Sequence, residues 1–148
     1  MLDDLFFMKQ AFLEAQKALA KGEVPVGAVV VCRNTIIARA HNLTETLRDV
    51  TAHAEMQAIT MASDYLGGKY LVDCSIYVTV EPCVMCAGAL GWAQISRLVY
   101  GRLIQKEDIL FLPLTHFILD VRLFPVSWQT NVLRWSLLSS KHVDEKII

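Results

Sequence analysis

The first hundred residues alternate between two patterns of apolar positions. In residues 4–21 the apolar side chains recur with helical spacing, which predicts an amphipathic helix that ends before a glycine. The β-branched runs at 26–32 and 35–41 predict two strands, and the Arg-Asn pair between them predicts a hairpin turn. The first elements are therefore a helix followed by a β-hairpin.

The same patterns predict a loop, two further helices and two further strands. In chain order these are the loop 42–51, the helix 52–66, the strand 75–80, the helix 81–95 and the strand 97–101. The strand–helix–strand steps predict parallel strand pairs, with helices covering both faces of the sheet. An α/β fold is therefore expected.

Length, charge and hydrophobicity exclude several classes of protein. The 148 residues suffice for one domain with a sizeable core. With a net charge of −1, the chain as a whole is not basic enough to attract nucleic acid, so any RNA contact would come from a local basic patch. Apolar runs stay below the roughly 18 residues of a membrane-spanning helix. Acids stand near the N-terminus, where a secretory signal would carry basic residues, which predicts a mature cytoplasmic chain.

The four cysteines divide into two kinds. Cys83 and Cys86 form a Cys-x-x-Cys pair, which in an unsecreted chain indicates thiol or metal chemistry. Cys32 and Cys74 lie in apolar, strand-like segments, where small buried side chains are the simpler interpretation.

A candidate metal site combines residues from two predicted helix starts. His53 follows the polar loop, whereas Cys83 and Cys86 follow a strand and Pro82. Open α/β sheets place ligands where such helix N-termini converge, and a helix N-terminus favours the thiolate. One imidazole and two thiolates leave a fourth position for water, the pattern of catalytic zinc. Glu55, two residues after His53, is placed to carry a proton without ligating the metal.

Each part of this pattern has an ordinary explanation when it stands alone. A Cys-x-x-Cys pair has many uses, a histidine at a helix start usually caps or packs, and Glu55 alone would be a solvated helix residue. The combination is far more specific. A structural zinc site would need a fourth protein ligand, for which Cys74, His41 and His116 are candidates only if the fold brings them close.

The sequence resembles a known family of enzymes. "HAE" at 53–55 with "EPCVMCAGAL" at 81–90 resembles the zinc-dependent nucleoside and nucleobase deaminases. Further stretches resemble the bacterial tRNA adenosine deaminases, so that the resemblance covers roughly residues 4–101. These stretches are "GEVPVGAVVV" at 22–31, "HN" at 41–42, "TAHAEMQAI" at 51–59, "YVTVEPCVMCAGAL" at 77–90 and "RLVYG" at 97–101.

This resemblance implies a fold and a reaction. The fold is a three-layer helix–sheet–helix sandwich of the cytidine-deaminase type with a mixed central sheet, in a homodimer. His53, Cys83 and Cys86 would hold one Zn²⁺ per subunit with a bound water. Glu55 would shuttle the proton while the activated water attacks C6 of a flipped adenine and ammonia leaves. The substrate would be the wobble adenosine of a tRNA anticodon stem-loop, which becomes inosine.

The resemblance also implies substrate contacts and leaves alternatives open. Asn42 would hold the target nucleotide, although as a lone residue it is better explained as a turn residue. The Ala54 backbone would meet the base edge, while Val24, Pro25 and Val80 would line the pocket. Guanine and cytosine deaminases share the zinc core, and the Cys-Val-Met-Cys-Ala-Gly-Ala stretch favours the tRNA enzyme. The remaining alternative is an inactive zinc-binding core.

Residues 102–148 depart from the family pattern. An Asp-x-Lys-x-Gly segment should follow the "VYG" stretch, but no glycine occurs after Gly101. One explanation is a divergent apolar tail. The other is a frameshift: with permitted codons, a reading displaced by one base yields Asp-x-Lys-Arg-Gly, a "GILADEC" helix start and a stop codon. We therefore expect a deaminase core in 1–101, with four strands. The segment 102–148 would be an atypical tail of the same domain. In that tail the fifth strand and the last helix of the family are in doubt, and we expect impaired activity as a result.

Overall fold

The computed structural model describes residues 2–101, and every statement below concerns these residues. These residues form four helices and four strands. They are α1 (Asp4–Ala20), β1 (Gly27–Cys32), β2 (Thr35–His41), α2 (Thr44–Leu47), α3 (Ala54–Leu66), β3 (Cys74–Val78), α4 (Val84–Trp92) and β4 (Arg97–Tyr100). The predictions for residues 102–148 lie outside the described residues.

The strands form one mixed sheet in the order β2-β1-β3-β4. β1 is antiparallel to both β2 and β3, whereas β3 and β4 are parallel. The register places Gly27 opposite His41 and Ala28 opposite Val78. β2 and β3 therefore run in the same direction and both end beside the start of β1.

The sheet departs from the sequence prediction at one pairing. The step from β2 through α3 to β3 does not produce a parallel pair, because β1 lies between these two strands. The hairpin turn explains this arrangement: Arg33 and Asn34 both adopt the left-handed conformation that suits a tight β-hairpin. The step through α4 does give the predicted parallel pair of β3 and β4. A second difference is α2, a single helical turn within the predicted loop.

Helices cover both faces of the sheet, which confirms the predicted three-layer fold. α1 packs on one face, and α3 and α4 pack on the other. The α1 layer contains Phe7, Met8, Ala11, Val29, Val31, Tyr77 and Val99. The opposite layer includes Ala28, Val30, Ala54, Ala58, Ile76, Val78, Leu90 and Leu98. Within residues 2–101 no helix has both the length and the hydrophobicity that a membrane crossing requires.

The contact between α1 and β1 depends on a missing side chain. A Cβ atom on Gly27 would overlap the backbone oxygen of Ala11 and the backbone nitrogen of Ala15. Both atoms belong to the backbone of α1, so no side-chain rotation could relieve the clash. The Gly27 backbone also pairs with Thr79, whose N–H donates to Gly27 O at 3.0 Å and whose Oγ1 accepts from Gly27 N at 3.1 Å. Gly27 thus sets the distance between α1 and the sheet.

Replacing Gly27 with alanine is expected to destabilise the protein by about 3 kcal/mol, because the added methyl group must displace the backbone of α1. Urea unfolding followed by circular dichroism measures the change. The matched control is Gly88→Ala on α4, where a new Cβ would meet no atom of residues 2–101 within 4 Å. That substitution should be neutral or stabilising by up to about 1 kcal/mol. Equal stabilities for the two variants would contradict the close approach.

Candidate active site

Three possible metal ligands meet where two helices begin. His53 is the N-cap residue of α3 and Cys83 is the N-cap residue of α4, and neither side chain makes a cap hydrogen bond. Cys86 lies in the first turn of α4 and is buried. Nδ1 of His53 lies 3.6 Å from Sγ of Cys83 and 3.5 Å from Sγ of Cys86. The ligand atoms of the three residues all lie within 4.8 Å of one another.

These distances fit zinc. Tetrahedral zinc with ordinary Zn–S and Zn–N bonds separates its sulfur and nitrogen ligands by about 3.6 Å. Both Nδ1–Sγ distances agree with this value. One nitrogen and two sulfurs are also a donor set that zinc prefers. The sequence prediction that these three residues share one site agrees with this geometry.

The electrostatics of the cluster favour a cation. Burial raises the pKa of the Cys86 thiol, and the charges of Glu55 and Cys83 raise it further. Two thiolates and a carboxylate repel one another when they share a partly buried site. A divalent cation offsets this repulsion, because metal binding requires and stabilises the deprotonated thiol. The negative charge of the cluster and its interatomic distances therefore both favour a bound divalent cation.

Glu55 is buried in the first turn of α3. Burial raises the pKa of its carboxyl group above the usual value, although the Glu55 backbone N–H and His53 act in the opposite direction. Glu55 also interacts with the side chain of Cys86. A buried carboxyl group with a raised pKa beside the cluster is suited to accepting and returning a proton near neutral pH. Its carboxylate is not part of the cluster that His53, Cys83 and Cys86 form.

The residues predicted to contact substrate lie before β1, after β2, after β3 and at the start of α3. Asn42 directly follows β2, is buried, and donates its backbone N–H to the Val26 carbonyl oxygen. Val24 and Pro25 precede β1; Val24 is exposed, whereas Pro25 is buried. Ala54 is the buried first residue of α3, and Val80 is half-buried after β3.

Two of the three candidates for a fourth protein ligand point elsewhere. The ring of His41 contacts Glu14 at 2.9 Å and Lys21 at 2.9 Å, both from the α1 side of the sheet. Cys74 is buried opposite Cys32 in the β1–β3 register. His116 lies outside the described residues. Among the residues described, the cluster therefore offers three candidate protein ligands, the number that a catalytic zinc site uses.

One residue beside the site escaped the sequence analysis. Glu23 is only 2% exposed and accepts hydrogen bonds from Asn42 and from α2. Its only sequence signal is an acid between a helix stop and a Val-Pro pair, which equally suits a solvated loop.

Comparison with known proteins assigns the family. The model of the cytidine and deoxycytidylate deaminase zinc-binding region matches residues 1–102, which include all three candidate ligands. The chain belongs to this deaminase family. The match covers more than half of the chain, and it confirms the resemblance inferred from the sequence.

Within this family, the chain is similar to individual adenosine and guanine deaminases. A tRNA-specific adenosine deaminase of Aquifex aeolicus is 50% identical over 102 residues, which cover 69% of this chain and 68% of the relative. A solved structure from work on A-to-I editing by tRNA:A34 deaminases at the wobble position is 48% identical, with a TM-score of 0.65, and covers 68% of this chain and 73% of the other. Guanine deaminase from Bacillus subtilis is 39% identical, with a TM-score of 0.67, covering 68% and 65%.

The similarity is confined to part of each protein. The matched segments span 61% to 68% of the first curated bacterial relatives. The family model ends at residue 102 of this chain.

Zinc binding is expected to depend on each of the three candidate ligands. His53→Ala, Cys83→Ser and Cys86→Ser should each reduce bound zinc from about one per chain to well below half, since two protein ligands hold zinc poorly. Metal analysis of the purified chain after dialysis measures this. Cys32→Ala is the matched control, because Cys32 is a half-buried thiol outside the cluster. Full zinc content in a ligand variant, or its loss in the control, would refute the assignment.

Proposed function

We propose that this chain is a zinc-dependent hydrolytic deaminase that converts the wobble adenosine of a tRNA anticodon to inosine. The observation that supports this most strongly is the cluster of His53, Cys83 and Cys86, with the buried carboxyl group of Glu55 beside it. Identity near 50% to tRNA-specific adenosine deaminases supports the substrate. The family supports zinc as the metal.

The proposed roles of the side chains follow from their chemistry. When bound, zinc supplies a Lewis acid and an activated water at the cluster. Glu55 accepts a proton from water at its carboxylate and returns it to the departing amino group. The C6–N bond of adenine breaks, a C6–O bond forms, and adenosine and water give inosine and ammonia. Asn42 holds the target nucleotide and the Ala54 backbone meets the base edge, while Val24, Pro25 and Val80 line the pocket.

Guanine deamination is the second candidate. The B. subtilis guanine deaminase has a TM-score of 0.67, against 0.65 for the tRNA:A34 deaminase structure. Backbone similarity therefore does not separate the two substrates. Sequence identity does favour the RNA enzyme, at 48% against 39%. We accordingly place RNA adenosine first and free guanine second.

The proposal also covers the binding partners of the chain and residues 102–148. We infer a cytoplasmic homodimer that binds the anticodon stem-loop. We further propose that residues 102–148 are a frameshifted replacement of the family's C-terminal segment, which leaves a zinc-binding core with weak tRNA deamination. The end of the family match at residue 102 supports this boundary. If the tail abolishes turnover altogether, the chain is an inactive zinc-binding core.

Glu55→Gln is expected to lower deamination by a factor of roughly 10²–10⁴, because the amide cannot accept the proton. Zinc content should stay near one per chain, since Glu55 is not a proposed ligand. Inosine formation on an anticodon stem-loop with adenosine at the wobble position is measured, with free guanine and cytosine as parallel substrates. Turnover of free guanine alone would replace the RNA assignment with the second candidate. Bound zinc without turnover of any substrate would indicate the inactive core.

The coding DNA around Gly101 tests the frameshift. We expect one base to be missing near this codon, relative to a frame that encodes the Asp-x-Lys-Arg-Gly and "GILADEC" segments. The Trp128 codon is informative, because tryptophan has a single codon and its bases in the alternative reading are therefore fixed. Codons in 102–148 that are incompatible with those segments would rule the frameshift out.

A further inference from the structure

Glu23 is a buried carboxylate that binds the segment after β2. Its Oε1 accepts from the backbone N and from Oγ1 of Thr46, both at 2.7 Å. Its Oε2 accepts from the backbone N of Glu45 at 3.1 Å and from Oγ1 of Thr44 at 3.4 Å. Oε2 also accepts from Nδ2 of Asn42 at 3.3 Å. One side chain therefore holds α2 and the candidate substrate-binding asparagine together.

These contacts require an ionised carboxylate. In all five contacts an oxygen of Glu23 accepts the hydrogen bond. A proton on either oxygen would point at a hydrogen-bond donor and would replace an accepted hydrogen bond with an unfavourable contact. Burial raises the pKa of Glu23, but the hydrogen bonds from Thr46 and its neighbours in α2 outweigh it and lower the pKa to about 2. Glu23 is therefore charged throughout the physiological range, and its contacts do not switch with pH.

The hydrogen bonds of Asn42 fix which way its amide group faces. Nδ2 donates to Glu23 at 3.3 Å and to Oγ1 of Thr44 at 3.0 Å, and both partners are acceptors. Both hydrogen bonds that Nδ2 can donate are therefore made within the protein. No donor among residues 2–101 contacts Oδ1. Among residues 2–101 no fully buried polar side-chain atom lacks a partner, so Oδ1 is not an enclosed, unpaired acceptor. Asn42 consequently presents a hydrogen-bond acceptor rather than a donor.

The same segment connects Asn42 to the metal cluster. The backbone N–H of Leu43 donates to the Ala52 carbonyl oxygen at 3.0 Å, next to His53. Glu23 secures α2, which lies within the loop that this bond closes. Displacement of α2 would therefore move Asn42 relative to the first turn of α3.

We propose that Glu23 is a positioning residue: it orients the Asn42 amide so that Oδ1 accepts a hydrogen bond from the nucleotide. The proposal rests on the proposed deaminase function and adds a residue to it. Glu23 acts only through Asn42 and α2, and touches neither metal nor substrate. Its substitution should therefore change substrate binding more than the proton transfer.

The primary test compares Glu23→Gln with Glu14→Gln in the full chain. The substituted glutamine side chain has the same shape as Glu23 but places an NH₂ group against hydrogen-bond donors, which frees the Asn42 amide to rotate. We expect KM for the anticodon stem-loop to rise about tenfold with less than about a threefold change in kcat, and zinc content to stay at wild-type level. Glu14 is an equally buried glutamate, 3% exposed, that pairs with Lys17 and His41 on the α1 face. Glu14→Gln should lower stability without raising KM.

A double-mutant cycle separates positioning from general destabilisation. In an Asn42→Ala background, Glu23→Gln should raise KM by less than about twofold, because the group that it positions is already gone. Additive effects of the two substitutions on KM would overturn the proposal. An equal rise of KM in Glu14→Gln would overturn it as well.

The proposal and the underlying function fail in distinguishable ways. Absence of wild-type turnover would contradict the deaminase assignment and leave the hydrogen bonds of Glu23 open to direct measurement. Nuclear magnetic resonance should then show slow exchange of the Asn42 side-chain NH₂ and of the Glu45 and Thr46 amides, and faster exchange in Glu23→Gln. Unchanged exchange at these groups would overturn the positioning role regardless of activity.

Discussion

The close packing of α1 on Gly27 is the constraint on which the rest of the structure depends. Because this glycine lets a helix backbone approach the start of β1, β1 can lie at the centre of the sheet with both faces covered. β2 and β3 then pair with its two edges, and both run opposite to it. Their C-terminal ends consequently meet at the same end of β1. Asn42 follows the end of β2 directly, and Cys83 follows the end of β3 after a short connection.

This geometry explains how residues distant in sequence come to share one site. Asn42 follows β2, and the short segment beyond it leads to His53 at the start of α3. Cys83 follows β3 after a short connection of its own. The antiparallel strand between β2 and β3 brings the two helix starts to one side of the sheet, much as a direct parallel pair would. The wrong prediction of that pair therefore left the predicted site intact.

The candidate site could be predicted from the sequence, because the residue types and their local spacing determine where its side chains lie. His53, Glu55 and the Cys83–Cys86 pair stand at helix starts, and metal-binding side chains with fixed spacing leave few alternative structures. Strand order could not be predicted, because the pairing of β1 with both β2 and β3 depends on contacts between distant segments. Glu23 was missed for a related reason. An acidic side chain is exposed by default, and its burial here depends on donors that come together only after folding.

The helix starts carry a further consequence for how this protein balances stability against activity. Serine, threonine, aspartate or asparagine at a helix N-cap stabilises a protein by typically about 1 kcal/mol relative to alanine. α3 and α4 instead begin with His53 and Cys83, neither of which caps its helix. In the proposed zinc site, both positions would thus serve ligand chemistry at the expense of helix stability. Substitutions chosen only to raise the melting temperature would favour replacing these two residues, and would thereby remove two of the proposed metal ligands.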